Sequence, residues 1–205
     1  MQAIKQKSVF ISGSAYEYGR FGEDGIDFIR ELSAALLKSG FRIISGFGAG
    51  VGNFVVEGAL QEIYTKREQK LTEHLQVYPF PLQTKLLTDI QENYRNDMIA
   101  LAGTAIFLFG NKLEDIAIRE ADGMRTEFEI ARSQNALLIP VGASGYISQQ
   151  LWQDMLDSYD EYFSTREKLP LFEQLGNPEA KPQDLIATIL QIVMQPQLSH
   201  EESIH

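Results

Sequence analysis

The chain of 205 residues has no cysteine, three histidines and one tryptophan, and these scarcities remove whole classes of chemistry. Without cysteine there are no disulfides, no thiolate metal sites and no thiol nucleophile. That composition suits a reducing compartment, so a cytoplasmic location is expected. His74, His200 and His205 show no metal-ligand spacing, so neither a metal nor a cofactor is expected. No apolar run approaches the ~20 residues that span a bilayer. The N-terminal "MQAIKQKSVF" leads directly into a strand-like run, without the form of a signal peptide. Basic residues are also few: 18 Lys and Arg stand against 28 Asp and Glu, a formal net charge of −10. A duplex nucleic-acid binder usually shows a basic face, so no nucleic-acid or membrane partner is expected. Any anionic ligand must then be held by local donors rather than by the overall field.

Glycine, in contrast, is concentrated. "GFGAGVGN" (Gly46–Asn53) packs four glycines into eight residues, behind the strand-like "FRIIS" and ahead of the helically spaced "NFVVEGALQEIY". A glycine turn between a strand and a helix N-terminus points free backbone N–H groups and the helix dipole at an anion. The same glycines also serve a tight turn with close helix–strand packing.

At this length one domain, 1–205, is expected, with a core over about 7–194 and a polar tail over 195–205. Strand-like and helix-like segments alternate. "KSVFISGSA" reads as a strand, and "EDGIDFIRELSAALLKSG" as a helix with Ile26, Ile29, Leu32, Leu36 and Leu37 on its apolar side and Gly40 as its stop. A helix follows from about Gly52 to Lys66, then strand "LQVYPFP" and helix "TKLLTDIQENYRNDMIALAG". "TAIFLFG" is an apolar run of strand length, as in a central parallel strand buried on both faces. A polar connection, "NKLEDIAIREADGMR", leads to helix "TEFEIARSQN", strand "ALLIPVGAS", helix "YISQQLWQDMLDSYDEYF" and a last helix, "DLIATILQIVMQ". This order predicts an α/β, Rossmann-like fold: an open, mostly parallel sheet with helices on both faces. Ligands of such sheets lie at the carboxyl ends of the strands, where "SGSA", "GFGAGVGN" and "FGNK" supply glycine-containing loops. Neither the dinucleotide fingerprint nor the P-loop fits: "GAGVG" breaks the spacing, the next strand ends without an acid, and no Lys-Ser/Thr follows the glycines.

Three side chains stand out near those loops. Arg95, in "ENYRNDMIALAG", offers a fork suited to phosphate or paired ribose oxygens; a surface salt bridge is the plainer reading. Glu127 and Glu129, in "GMRTEFEIA", lie near a helix start, where the dipole favours a carboxylate in any case. Facing a ligand, such a carboxylate accepts ribose hydroxyls or assists chemistry at a glycosidic carbon. Residues two apart on a helix diverge, so only one of the two is expected to face a pocket. Lys112, in "FGNK", follows the central strand and reaches a phosphate as a point charge, or is simply solvated.

Taken together, "FISGSA", "GFGAGVGNFVVEGAL", "YRNDMIALAGTAIFLFG" and "ADGMRTEFEIA" resemble the SLOG superfamily, the nucleotide-binding Rossmann-like fold of the LOG and Smf/DprA proteins, over about Val9 to Trp152. The LOG enzymes cleave the N-glycosidic bond of cytokinin nucleoside monophosphates and carry an arginine, matched by Arg95, followed by "PGGxGTxxE". Thr126 and Glu129 fall on that motif's Thr and Glu, but "FGNK" replaces its Pro-Gly-Gly and Arg125 stands where a glycine cradles phosphate. A LOG-like hydrolase with Arg95 and Glu129 as catalytic residues is therefore the alternative. The closer resemblance is to the branch fused to sirtuin-like or TIR domains, the sensor domains of NAD-depleting effectors in Thoeris anti-phage defence.

That resemblance implies a sensor of a cyclic ADP-ribose isomer, rather than an enzyme, with a sirtuin-like or TIR effector domain in the same or a companion chain. It carries the ligand-contacting arginine, glutamate and loop lysine over to Arg95, Glu127 and Lys112. With the loop positions, the candidate ligand-contacting residues are Gly13, Ser14, Ala15, Gly46, Phe47, Gly48, Gly50, Gly52, Asn53, Arg95, Gly110, Lys112, Gly123, Met124, Thr126 and Glu127. Tyr16, Tyr18 and Phe47 are placed to flank the base. Family members are typically dimers or larger, and "YISQQLWQDMLDSYDEYF" carries apolar groups around more than one face. A homodimer is expected, unless the last helix folds back over that patch.

Overall fold

The computed structural model describes residues 2–65, 70–79 and 88–195. In chain order, α1 (Gln2–Gln6) precedes β1 (Ser8–Ser14), and a 3₁₀ turn at Gly19–Phe21 leads to α2 (Asp24–Lys38). Then come β2 (Arg42–Ser45), α3 (Gly52–Thr65), α4 (Leu71–His74), β3 (Leu75–Val77), α5 (Thr88–Ile99) and β4 (Thr104–Phe109). A ribbon of β5 (Asn111–Glu114) and β6 (Ala117–Glu120) follows, then α6 (Gly123–Ser133) and β7 (Leu137–Pro140). The chain closes with α7 (Tyr146–Asp157), α8 (Tyr159–Tyr162), α9 (Leu169–Gln174) and α10 (Pro182–Met194).

Five strands form one sheet in the order β3-β2-β1-β4-β7, and every pairing in it is parallel. The expected Rossmann-like α/β architecture is therefore present. β4 is buried along its whole length, as its apolar run predicts, because strands pair on both sides of it and helices cover both faces. α2 packs against α3 and α10, and α5 packs against α6. Right-handed crossovers place α2 and α3 on one face and α5 and α6 on the other. α2 and α3 approach closely because Gly58 lies over the backbone of Arg30, where a β-carbon would be 2.1 Å from the carbonyl oxygen. On α2, Ile29, Leu32, Leu36 and Leu37 are buried as expected, but Phe28 takes the place assigned to Ile26.

Several elements differ from the reading of the sequence. A five-residue helix precedes β1. The polar connection after β4 is an antiparallel ribbon in which Lys112 pairs with Arg119 and Leu113 with Ile118. Its tight turn is made by Asp115, at φ 57°, without the Asn-Gly or Asp-Gly pair that usually marks such a hairpin. The helix expected over 146–163 breaks at Ser158 into α7 and α8, and α9 was not expected. The apolar faces of α7 are covered within the chain. Leu151, Met155 and Tyr159 are buried in the core, and Trp152 donates its indole N–H to the Phe172 carbonyl at 2.8 Å. The Trp152 ring lies on Gly142 and Gly176. The region around α9 supplies this cover, while α10 packs on α2 instead. The start of the helix expected from Thr84, the end of strand "LQVYPFP", and His200 and His205 lie outside the described residues. No helix among the described residues is long and apolar enough to cross a membrane.

Candidate functional site

The sheet reverses its winding between β1 and β4. β2 and β3 are added on one side of β1, and β4 and β7 on the other. The carboxyl ends of these two strands are thus the switch point at which open α/β sheets bind ligands.

Ser12, Arg95 and Glu127 meet there from three elements. Ser12 belongs to β1 and is 2% exposed. Its hydroxyl donates to Glu127 Oε2 at 2.6 Å, linking residues 115 apart in sequence. Arg95, from α5, forms an ion pair with Glu127 through Nε and Oε1 at 3.5 Å. The Arg95 and Glu127 side chains are 17% and 15% exposed. Burial pushes the Glu127 carboxyl above its ordinary value, and the Ser12 hydrogen bond and the Arg95 charge pull it back. Gly123, at the start of α6, makes room for the pair: a β-carbon there would lie 2.9 Å from an Arg95 guanidinium nitrogen. Glu129 is exposed, so the two carboxylates diverge and only Glu127 turns toward Arg95.

The glycine loop after β2 has another physical explanation. A β-carbon on Gly48 would sit 1.9 Å from the Gly13 carbonyl oxygen, and one on Gly50 would sit 1.7 Å from that of Ala15. Ala15 N–H donates to the Ala49 carbonyl at 2.8 Å, and the Tyr18 hydroxyl donates to the Gly50 carbonyl at 2.8 Å. Gly48 and Gly50 therefore let two strand-end loops pack backbone against backbone. Gly13, Gly52 and Gly110 are likewise crowded by neighbouring backbone or core side chains, and Gly46 faces Met98. Ser14 Oγ donates to the Asn111 carbonyl. Met124 is buried, while Asn53 and Thr126 are exposed. Lys112 is half-exposed on β5 and pairs with Glu114 at 3.3 Å.

Of the three aromatic residues placed to flank a base, Tyr16 and Phe47 are exposed. Tyr18 is not available in the same way, because its ring packs edge-on against Phe109 and Phe54 and covers Gly25. Phe47 holds φ 57°, a left-handed conformation uncommon for a bulky side chain.

Two positions beside the candidate site escaped the sequence reading. One is Ser12, a buried polar residue on the α5–α6 face of β1. The other is Asn111, fully buried, whose Oδ1 accepts from Tyr16 N–H at 2.9 Å and Glu17 N–H at 3.1 Å. Its Nδ2 donates to the Glu17 carbonyl at 2.9 Å, so one amide clamps the loop after β1. Asparagine's backbone-mimicking amide, directly after the central strand, was the available signal.

A helix N-terminus ordinarily leaves its first N–H groups open. At α6, Met124 N–H donates to the Ala121 carbonyl at 2.9 Å, and Arg125 N–H and Thr126 N–H donate to that of Asp122 at 3.0 and 3.4 Å. The Arg125 side chain turns to Gln150 and Glu120. The N–H groups of Met124, Arg125 and Thr126 are therefore engaged within the start of the helix. A separate groove of about 570 Å³ opens by the amino end of β7, lined by Arg132, Leu137, Met155, Tyr162 and Phe163 among others; no predicted site residue lines it.

A parallel five-stranded sheet with a partly buried Arg–Glu pair at its switch point places the chain in the class of Rossmann-like α/β domains. Within that class, the chain belongs to the Sir2- and TIR-associating SLOG family (STALD), whose sequence model matches residues 1–196. Its curated relatives include the protein named NAD(+) hydrolase ThsA from Cytobacillus dafuensis, 38% identical over 200 residues, covering 94% of this chain and 40% of that one. The protein of the same name from Bacillus cereus (strain MSX-D12) is 39% identical over 193 residues, covering 93% and 40%. That from Acinetobacter baumannii (strain 532279) is 34% identical over 201 residues, covering 91% and 41%. The chain thus spans about two-fifths of the length of these relatives.

Proposed function

We propose that the chain is the ligand-sensing domain of a ThsA-like anti-phage defence effector, and that it binds a cyclic ADP-ribose isomer at the carboxyl ends of β1 and β4. The observation that carries this reading is the partly buried Ser12–Glu127–Arg95 arrangement at the switch point. An arginine fork takes a pyrophosphate or ribose oxygen, and an ionised glutamate beside it accepts ribose hydroxyls. Lys112 adds positive charge from β5, and Tyr16 and Phe47 present aromatic faces from the neighbouring loops. Closure of the α6 N-terminus disfavours a terminal monophosphate, and with it the LOG-like hydrolase. The matching region of relatives named as NAD(+) hydrolases supports the effector context, with catalysis belonging to a sirtuin-like or TIR domain in the same or a companion chain.

A ligand shifts only an equilibrium between states that it binds differently. The reading therefore includes a homodimer whose stability or geometry responds to the cyclic nucleotide. Calorimetry with cyclic ADP-ribose isomers, ADP-ribose, NAD and AMP tests the ligand, with one cyclic isomer expected to bind tightest. Equal affinity for AMP, with release of free base, would overturn the sensor reading in favour of hydrolysis. Light scattering with and without ligand tests the assembly; a strict monomer in both conditions would remove the dimer.

A further inference from the structure

We infer that Ser12 is a positioning residue that fixes how Glu127 is presented to the ligand, an inference that rests on the binding role proposed above for Glu127. Ser12 lies on β1 with its side chain directed to the face covered by α5 and α6. Phe10, two residues earlier and on the same face, approaches Gly46 beside Met98 of α5. The Ser12 hydroxyl donates to one carboxylate oxygen of Glu127, Oε2, while Arg95 lies against the other, Oε1. The two oxygens are therefore not equivalent. Oε2 is tied to the strand, and Oε1 is shared with the arginine that would hold the anionic part of a ligand.

A hydroxyl group of the ligand approaching this pair meets a carboxylate whose plane is already set, which lowers the ordering cost of binding. The geometry suits a ligand with a ribose hydroxyl and a neighbouring phosphate oxygen, because acceptor and donor stand side by side. Ser12 also supports the charge state that such a contact needs. A hydrogen bond donated to the ionised form favours that form, and it opposes the burial that pushes the carboxyl up. Arg95 is the charged group that acts with it from α5. The Ser12 hydroxyl donates to Glu127, so its effect runs through that carboxylate.

The test compares the wild-type chain with Ser12→Ala and Ser12→Cys, each confirmed as folded by thermal melting. Two readouts are used: affinity for a cyclic ADP-ribose isomer from pH 5 to 8.5, and the ¹³C titration of the Glu127 carboxyl without ligand. Ser12→Ala should weaken binding at pH 7 on the order of tenfold, the scale of one hydrogen bond to a charged group. It should also move the midpoint of the Glu127 titration, and the pH below which binding falls away, upward together. Ser12→Cys, a weaker donor of similar shape, should fall between. A uniform loss of affinity with an unmoved Glu127 midpoint would make Ser12 merely structural and overturn the inference. If the wild-type chain binds no cyclic isomer, the binding role of Glu127 fails, while the carboxyl titration still decides whether Ser12 controls Glu127.

Discussion

Gly50 faces the carbonyl of Ala15 so closely that a β-carbon on Gly50 would lie 1.7 Å from that oxygen. Gly50 also holds φ +71°, a conformation that side chains other than glycine rarely adopt. Both facts bear on Gly50→Ala: the loops after β1 and β2 must part, and the new residue is strained even after they do. The substitution should cost about 3 kcal/mol or more, the upper range for overpacking plus backbone strain. Urea unfolding measures it; a cost below about 1 kcal/mol would mean that the two loops separate freely.

Arg95 and Gly123 form a second pair with separable consequences. Arg95→Ala should weaken ligand binding by about 2–4 kcal/mol, the scale for removing one partner of a desolvated charge pair. Gly123→Ala keeps the arginine but places a methyl group 2.9 Å from the present position of its guanidinium nitrogen. The flexible end of Arg95 moves aside at little cost to the fold, so stability should change by less than about 1 kcal/mol while affinity drops. Glu129→Ala, at an exposed position, should leave affinity unchanged. Calorimetry on the three variants orders them, and wild-type affinity in Gly123→Ala would show that Arg95 does not need its present position.

Glu127 should leave a mark on stability as well as on binding. Its folded-state pKa lies above its ordinary value of 4.5, chiefly through burial. In the window between those two values the folded chain holds a proton that the unfolded chain has released, so this group's contribution to stability is present at lower pH and lost as pH rises. Other carboxylates titrate in the same range, so the measurement is a difference. Unfolding free energies of wild type and Glu127→Gln are compared from pH 4 to 8. The wild type should lose stability relative to the variant as pH rises, and a flat difference would place the carboxyl near its ordinary value.

Asn111→Ala removes three hydrogen bonds from a fully buried amide and leaves the Tyr16 and Glu17 backbone groups without that partner. At about 1 kcal/mol per bond, a loss of about 2–4 kcal/mol is expected in urea unfolding. Proteolysis should show the loop after β1 cut faster than in wild type. Unchanged stability and cleavage would mean that the clamp does not hold this loop.

The course of the chain was legible where one physical demand dominates. "TAIFLF" reads as a central strand because an apolar run of strand length suits a strand buried on both faces, and Gly40 marks the end of α2 by its positive φ. The ribbon of β5 and β6 was not legible, since four-residue strands rich in charge carry almost no alternation and their turn is made by Asp115 and Ile116. The site was half legible. Glycine in a sequence shows where a β-carbon is excluded but not what excludes it, and at Gly48 and Gly50 the excluding atoms belong to the chain itself. Arg95 and Glu127 were recognisable through a family pattern. Ser12 and Asn111 act through hydrogen bonds to residues about a hundred positions away, and no local pattern announces such partners.

The closed start of α6 leads to the last prediction. A terminal phosphate is held by N–H groups at a helix N-terminus when these are free and glycines let it approach. Here Met124, Arg125 and Thr126 donate to carbonyls three or four residues back, and the Arg125 side chain lies toward Gln150 and Glu120. AMP would have to break those turns to bind as a nucleoside monophosphate hydrolase requires, whereas a cyclic pyrophosphate has no terminal phosphate to place there. The chain should therefore bind a cyclic ADP-ribose isomer at least about tenfold tighter than AMP, which is a difference of 1.4 kcal/mol. It should release no adenine from AMP over hours at micromolar protein. Glu129→Gln should behave as wild type in both assays. Release of adenine that disappears in Glu129→Gln would instead identify Glu129 as a catalytic carboxylate, with α6 opening to admit the phosphate.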